Sequence, residues 1–205
     1  MNSVRSSISV TEENRARTTY NLMRKIILDV AVSLDGLIEG PNGEYDWFFT
    51  DQDYGLTDFA NSVDAVFYGR KSYELFGRQI PDTVTSDEER KFWNLILNKK
   101  TYVFSRTLKA VDAPATIIRG NIEEAVNKIK AEPGKDIWLY GGASLVTTLV
   151  NLGFVDEFRL AVHPIILGAG KPLFMDIRKR VGLKLIDTKQ YATGLVMLRY
   201  QLDRK

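Results

Sequence analysis

The chain of 205 residues contains no cysteine and a single histidine, His163. The first absence excludes disulfides, thiolate nucleophiles, thiolate zinc sites and iron–sulfur clusters together. The second leaves too few imidazoles for most metal constellations. No run of 18 or more apolar residues is present, so no segment reads as a membrane-spanning helix. A formal net charge of +2 and a pI of about 8.7 give no dense basic stripe, and nucleic acid is not an expected partner. Neither standard phosphate motif occurs. Gly69-Arg70-Lys71-Ser72 lacks the glycine spacing of a Walker A loop, and Gly141-Gly142-Ala143-Ser144 lacks the third glycine of the dinucleotide fingerprint.

The composition is otherwise that of a globular protein, 44% hydrophobic, with enough apolar residues for one sizeable core. Residues 1–22 are polar and lack the apolar centre of a secretory signal, which points to a cytoplasmic protein with an N-terminal extension ahead of a domain over 23–205. From Lys25 to Val32 the sequence is nearly continuously apolar, as in a strand buried on both faces. Asp35-Gly36 marks a turn, and Gly40 to Trp47 a loop. Helices are predicted from Asp53 to about Asn61, and from Ser86 to Asn98 behind a Ser86/Glu89 capping box. A further helix follows from Ile122, Ala125, Val126 and Ile129, spaced i, i+3, i+4, i+7. Strands are predicted at Ala65–Tyr68, Thr101–Phe104, Ala115–Ile118, Ile137–Tyr140 and Glu157–His163. Leu183–Gln190 and Leu195–Leu202 close the chain as a hairpin. The order is strand–helix alternation first and strands last. It predicts an α/β fold with a mixed, mostly parallel sheet between helices and an antiparallel C-terminal hairpin.

Within that frame three strand ends deliver ligand-suited residues to one sheet edge. After Tyr68 come Gly69, Arg70, Lys71 and Ser72; after Phe104 come Ser105 and Arg106; after Tyr140 come Gly141, Gly142, Ala143 and Ser144. Glycines let a ligand approach the backbone, a helix N-terminus favours negative charge, and ligands of open α/β sheets collect at the carboxyl ends of strands. The cations Arg70, Lys71 and Arg106 would suit the extra phosphate of NADPH over NADH. Acidic residues cluster between Asp35 and Asp58, and most of them read as loop residues or helix caps. His163, ahead of Pro164, reads as structural, and Gly168-Ala169-Gly170-Lys171 as a turn or the rim of a ligand site. The apolar residues Leu195, Val196, Met197 and Leu198 of the final hairpin point to a homodimer that covers them.

Six segments occur in a particular order: Val32-Ser33-Leu34-Asp35-Gly36, Gly69 to Glu74, Ser105-Arg106-Thr107-Leu108, Trp138 to Ala143, Val155-Asp156-Glu157 and Pro164 to Gly170. Together, over about residues 23 to 202, they resemble the dihydrofolate-reductase-like family. The nearest branch is the reductase domain of the bifunctional riboflavin-biosynthesis deaminase/reductase and its stand-alone bacterial relatives. The resemblance implies a three-layer α/β/α fold with a sheet of about eight strands, NADPH as cofactor, and hydride transfer to a pterin-like or pyrimidine heterocycle. It assigns Gly69, Arg70, Lys71 and Ser72 to the cofactor phosphates, Ser105 and Arg106 to the adenosine 2′-phosphate, and Gly141, Gly142, Ala143 and Ser144 to a diphosphate turn that often holds a cis Gly-Gly peptide. The loop from Asp35 to Trp47 matches the one that closes over nicotinamide. Counting back from Gly69 at that family's interval reaches Asp53 as a proton-relay candidate, with Asp51 close behind, and Asp35 is a second catalytic candidate. Asp46-Trp47-Phe48-Phe49 departs from the folate-enzyme pattern, and the zinc signature of the deaminase half is absent. The alternative reading is a non-catalytic nucleotide- or pterin-binding module on the same fold.

Overall fold

The computed structural model describes residues 23–82, 84, 86–112 and 114–204. The extension expected over residues 1–22 lies outside them. Ten strands are present among the described residues: β1 (Ile26–Ser33), β2 (Leu37–Glu39), β3 (Val63–Gly69), β4 (Lys100–Phe104), β5 (Ala115–Ile118), β6 (Asp136–Gly141), β7 (Glu157–His163), β8 (Lys171–Pro172), β9 (Leu183–Gln190) and β10 (Val196–Leu202). The helices are α1 (Leu56–Ser62), α2 (Arg70–Ser72, continued by a π-helical turn Tyr73–Gly77), α3 (Asp87–Leu97), α4 (Ile122–Ala131) and α5 (Ala143–Asn151).

Eight strands form one sheet in the order β5-β4-β3-β6-β1-β7-β10-β9, while β2 and β8 pair separately. From β5 to β7 every pairing is parallel, and only the pairings of β10 with β7 and with β9 are antiparallel in this sheet. The apolar run of β1 explains its central place, because alternate residues feed two cores. Ile26, Leu28 and Val32 pack with Phe67, Ile137, Leu139 and Leu149 on the face covered by α4 and α5. Ile27 packs with Val66, Trp138, Phe59 and Ile96 on the face covered by α1 and α3. Burial of this kind contributes roughly 2 kcal/mol per large side chain.

Local signals placed the helices. Ser86 Oγ accepts from the Glu89 amide and the Glu89 side chain accepts from the Ser86 amide, completing the predicted capping box of α3. Asn121 caps α4 by accepting from the Glu124 amide, and Val126 and Ile129 of the predicted stripe are buried. The helix predicted from Asp53 begins at Leu56, with Gly55 as its left-handed N-cap and Asp53 in the turn ahead of it, accepting from the amides of Gly55 and Thr57. The hairpin also differs from expectation. Leu195 and Met197 are buried, whereas all eight residues of β9 are exposed, with Leu183, Leu185 and Ile186 40–50% accessible. The apolar surface left open is therefore the last strand of the sheet rather than its neighbour. No helix among the described residues is long and apolar enough to cross a membrane.

Candidate functional site

Because β3, β4, β6, β1 and β7 are parallel, their last residues share one edge of the sheet. Gly69 ends β3 opposite Phe104 of β4, and Tyr68 lies opposite Gly141 of β6. The two glycine turns meet. A Cβ on Gly69 would stand 3.4 Å from the Gly142 nitrogen, and one on Gly142 would stand 3.3 Å from Ser72 Oγ. Gly141 has φ +111, a region that side chains disfavour, and the Gly141–Gly142 peptide is cis. Gly142 precedes α5 without any side-chain cap, so the first amides of that nine-residue helix are left to other partners. Ala143 is buried beneath the turn and Ser144 is exposed on it. This narrow, side-chain-free cradle with open amides has the form a dinucleotide diphosphate needs, and the residues present fit that group.

The cations surround the cradle at different distances from commitment. Arg70 is paired with Glu74 one helical turn on, at 2.7 Å, with both side chains over a third exposed. Such a pair is worth little in water and is readily exchanged for a phosphate. Lys71 and Arg106 are exposed. Ser105 accepts the amides of Thr107 and Leu108, which shapes the turn that presents Arg106. The structure thus brings Gly69, Ser72, Gly141 and Gly142 into contact and places Ser105 and Arg106 at the end of the adjoining strand.

The two acidic candidates are engaged with backbone. Asp53 accepts from the amides of Gly55 and Thr57 and from the Thr57 hydroxyl, an exposed capping arrangement. Asp35 accepts from Ser33 Oγ and from the amides of Leu167 and Gly168. The Ser33 hydrogen bond, followed by that from Gly168, holds its carboxyl below the usual carboxylate range. Asp35 therefore ties the turn after β1 to the Gly168–Gly170 loop, where Gly170 packs so closely on the Glu39 carbonyl that no side chain would fit. Asp51 accepts from the Tyr54 hydroxyl.

Beside the cradle lies a cluster of packed aromatic rings. Tyr45 and Phe76 stand 5.6 Å apart, Phe76 and Tyr140 5.7 Å, and Tyr140 and Tyr68 4.9 Å. On the other side Trp47, Phe48 and Phe49 pack on the imidazole of His163 at 5.0 to 5.9 Å. His163 is buried. Its Nδ1 bonds the Ala161 carbonyl at 3.0 Å, and its Nε2 accepts from the Phe49 amide at 3.2 Å. That pattern requires a neutral ring with the proton on Nδ1, and burial pushes its pKa below the ordinary value. His163 is the structural residue its position ahead of Pro164 predicted. A cavity of about 460 Å³ opens next to it, lined by Gly40, Pro41, Glu44, Asp46, Trp47, Ile165 and Leu167.

One residue of this region escaped the sequence reading. Asp29 lies inside β1, on the α1-covered face, beside Arg159 of β7. Burial pushes its carboxyl up to about 6, with the Arg159 charge opposing the rise. Its backbone carbonyl accepts from Trp138 Nε1. Burial also raises the phenol of Tyr140, with smaller contributions from Tyr45 and Asp29. The available signal was a lone carboxylate interrupting an otherwise apolar strand, matched by a lone arginine in Glu157–His163.

A sheet of this order, with helices on both faces and β10 reversed between β7 and β9, is the dihydrofolate-reductase-like fold. The model of the RibD C-terminal domain matches residues 24–197, and the chain belongs to that family. Protein YyaP of Bacillus subtilis, described as uncharacterised, is 55% identical over 183 residues, covering 89% of this chain and 97% of that one. Protein YwjB of the same organism, described likewise, is 35% identical over 86% of this chain and 97% of its own. Among solved structures, a putative riboflavin biosynthesis protein from Shewanella superposes with a TM-score of 0.73 at 20% identity, covering 88% of this chain and 99% of the other. The Thermotoga maritima deaminase/5-amino-6-(5-phosphoribosylamino)uracil reductase superposes with a TM-score of 0.65 at 15% identity, over 90% of this chain and 58% of that longer one.

Proposed function

We propose that this chain is an NADPH-dependent reductase that delivers hydride to a flat nitrogen heterocycle of the pterin or pyrimidine type. The observation that carries this reading is the meeting of the Gly69 and Gly141-Gly142 turns at the edge of the sheet beside a cluster of aromatic rings. Gly141, Gly142, Ala143 and Ser144 receive the diphosphate with backbone amides. Gly69 and Ser72 let it approach, while Arg70 and Lys71 neutralise it. Ser105 and Arg106 recognise the 2′-phosphate. When bound, NADPH supplies the hydride; the protein orients the heterocycle, excludes water with the loop from Asp35 to Trp47, and holds the proton donor. The family's reductase relatives support the reaction class. Asp53 remains the proton-relay candidate that the resemblance reaches, and Asp35 the second catalytic candidate.

Residues 23–205 constitute the reductase domain in this reading, and the protein works in the cytoplasm as a homodimer. The exposed, eight-residue edge strand β9 is the surface a second copy covers.

The test is a titration with NADPH and NADH followed by nicotinamide fluorescence, on wild type and Arg70→Ala. Tight NADPH binding, much poorer NADH binding and a loss of about tenfold for NADPH in the variant are expected, the last being the worth of one charged contact. No binding of either nucleotide by the wild type overturns the reading. A second reading is a non-catalytic binding module. It is favoured by the full engagement of Asp35 and Asp53 with backbone amides. Such a module would bind NADPH and fail to oxidise it with dihydrofolate or with 5-amino-6-ribitylaminouracil-type pyrimidines.

A further inference from the structure

Charge is divided along this chain. Between Lys25 and Arg70 it carries nine carboxylates and neither lysine nor arginine. Among the described residues, cations from elsewhere meet three of those carboxylates in ion pairs: Arg159 with Asp29, Lys171 with Glu39 and Arg24 with Asp64. The cations placed for phosphate, Arg70, Lys71 and Arg106, all follow that stretch.

The cavity of about 460 Å³ lies in the acidic part. The loop after β2 supplies Pro41, Glu44, Asp46 and Trp47 to its walls, and the segment after β7 supplies Ile165 and Leu167. β1 and β7 end side by side, with Ser33 opposite His163, and β6 with its Gly141 turn is the next strand on. Two strand spacings, about 10 Å, separate that turn from the end of β7. A substrate whose ring meets a cofactor held at the glycine turns is thus within reach of the cavity.

Glu44 is fixed in this wall. Its carboxylate accepts from the Asn42 amide at 2.7 Å, and its carbonyl accepts from the Gly40 amide at 2.8 Å. A Cβ on Gly40 would stand 2.5 Å from the Glu44 carboxyl carbon, so the loop closes on that side chain only with glycine there. The Asp46 carboxylate has no hydrogen-bond or ion-pair partner among the described residues, and neither acid has a cation beside it. Apolar walls with an indole and two carboxylates suit a chain of hydroxyl-bearing carbons. The C–H groups pack on the walls, and the hydroxyls donate to the carboxylates. The same carboxylates repel a phosphate.

We propose that this cavity is the subsite for a hydroxylated side arm of the heterocyclic substrate, and that Glu44 and Asp46 make it select the unphosphorylated arm over the phosphorylated one. The proposal rests on the reductase reading of the same edge and adds two specificity-determining residues to it. If Glu44 only shaped its turn and Asp46 were only solvated, neutralising them would leave the ranking of ligands unchanged.

The experiment titrates NADPH-loaded protein with three pterins, following pterin fluorescence: 6-methylpterin, which lacks the arm, neopterin, which carries three hydroxyls, and neopterin 3′-monophosphate. Wild type is expected to bind neopterin about tenfold more tightly than 6-methylpterin, and the phosphate about tenfold or more weakly than neopterin in low salt. In Glu44→Gln/Asp46→Asn both ratios are expected to shrink to about threefold or less. In 1 M salt, where charges are screened beyond about 3 Å, the phosphate ratio should shrink in the wild type as well. A wild type that binds the phosphate as tightly as neopterin overturns the proposal, as do ratios unchanged in the double variant. Binding of NADPH with no pterin bound overturns it too. Should the double variant not fold, Asp46→Asn takes its place, and an unchanged phosphate ratio there overturns the proposal. Absence of NADPH binding in the wild type strikes the cofactor reading instead, and the same three titrations on the free protein still decide the role of the cavity.

Discussion

The two ends of the sheet are built on opposite terms. From β4 to β1 the strands are parallel, covered on both faces and nearly free of solvent: Val66, Phe67, Ile137 and Leu139 are wholly buried. At the other end β9 is antiparallel and exposed along its whole length. Parallel strands are joined by helices that cross over the sheet and bury it, while a hairpin brings no helix with it. The consequence is a division of labour. The covered end carries the glycine turns at its carboxyl edge, and the uncovered end is left with exposed apolar side chains. Asp29 and Arg159 stand between the two, on β1 and β7, buried with the Phe59 ring of α1 over the arginine.

That contrast is open to direct tests. The largest effect is expected at Phe67, whose replacement by alanine removes a fully buried ring packed on Phe104 and Tyr102. Urea denaturation should show a loss of about 3–5 kcal/mol. A loss under 1 kcal/mol would mean the covered end is not the stability centre.

Next comes the pH dependence of Asp29. Its carboxyl titrates near 6 when folded, against the ordinary value of 3.8. Below about pH 4 both states are protonated and the residue costs nothing. As the pH rises, the unfolded chain ionises first, so stability falls through the window from 4 to 6. Relative to Asp29→Asn, the wild type should lose of order 3 kcal/mol between pH 4 and 7. A flat difference would show that Asp29 stays ionised against Arg159 throughout.

Smaller still is Asp53→Ala, which removes the acceptor of the Gly55 and Thr57 amides at the entry to α1. A loss of about 1 kcal/mol is expected, measured by thermal unfolding, with NADPH affinity unchanged. A collapse of reductase activity at unchanged stability would instead restore Asp53 to the chemistry. The smallest stability effect belongs to Leu185→Lys on β9. The monomer should change by less than about 0.5 kcal/mol, since the side chain is half exposed. Light scattering should nonetheless report a shift from dimer to monomer, and a monomeric wild type would remove β9 as a self-association surface.

Several elements were legible because their signals are local. The capping box at Ser86, the stripe from Ile122 to Ile129 and the apolar run of β1 each follow from spacing within a dozen residues, and the strand ends at Gly69 and Gly141 followed from the same logic. The C-terminal hairpin was legible as a hairpin and misread in its exposure. Apolarity says that a residue seeks cover and not whether a helix lies over it: Leu195 and Met197 found cover, Leu185 and Ile186 did not. The acidic segment misled for a related reason. A carboxylate in a loop looks free until the amides it accepts are known, and those of Leu167 and Gly168 lie more than a hundred residues from Asp35.

By itself the sequence determined the alternation of elements, the parallel order it demands and the family, because period, caps and glycine turns act over short range. Only the tertiary structure decided that Gly69 meets Gly142, that Asp35 is held by the amides of Leu167 and Gly168, and that Asp29 is buried beside Arg159. Those facts depend on which strands become neighbours, and that choice is made by burying two cores at once rather than by any residue's own preference.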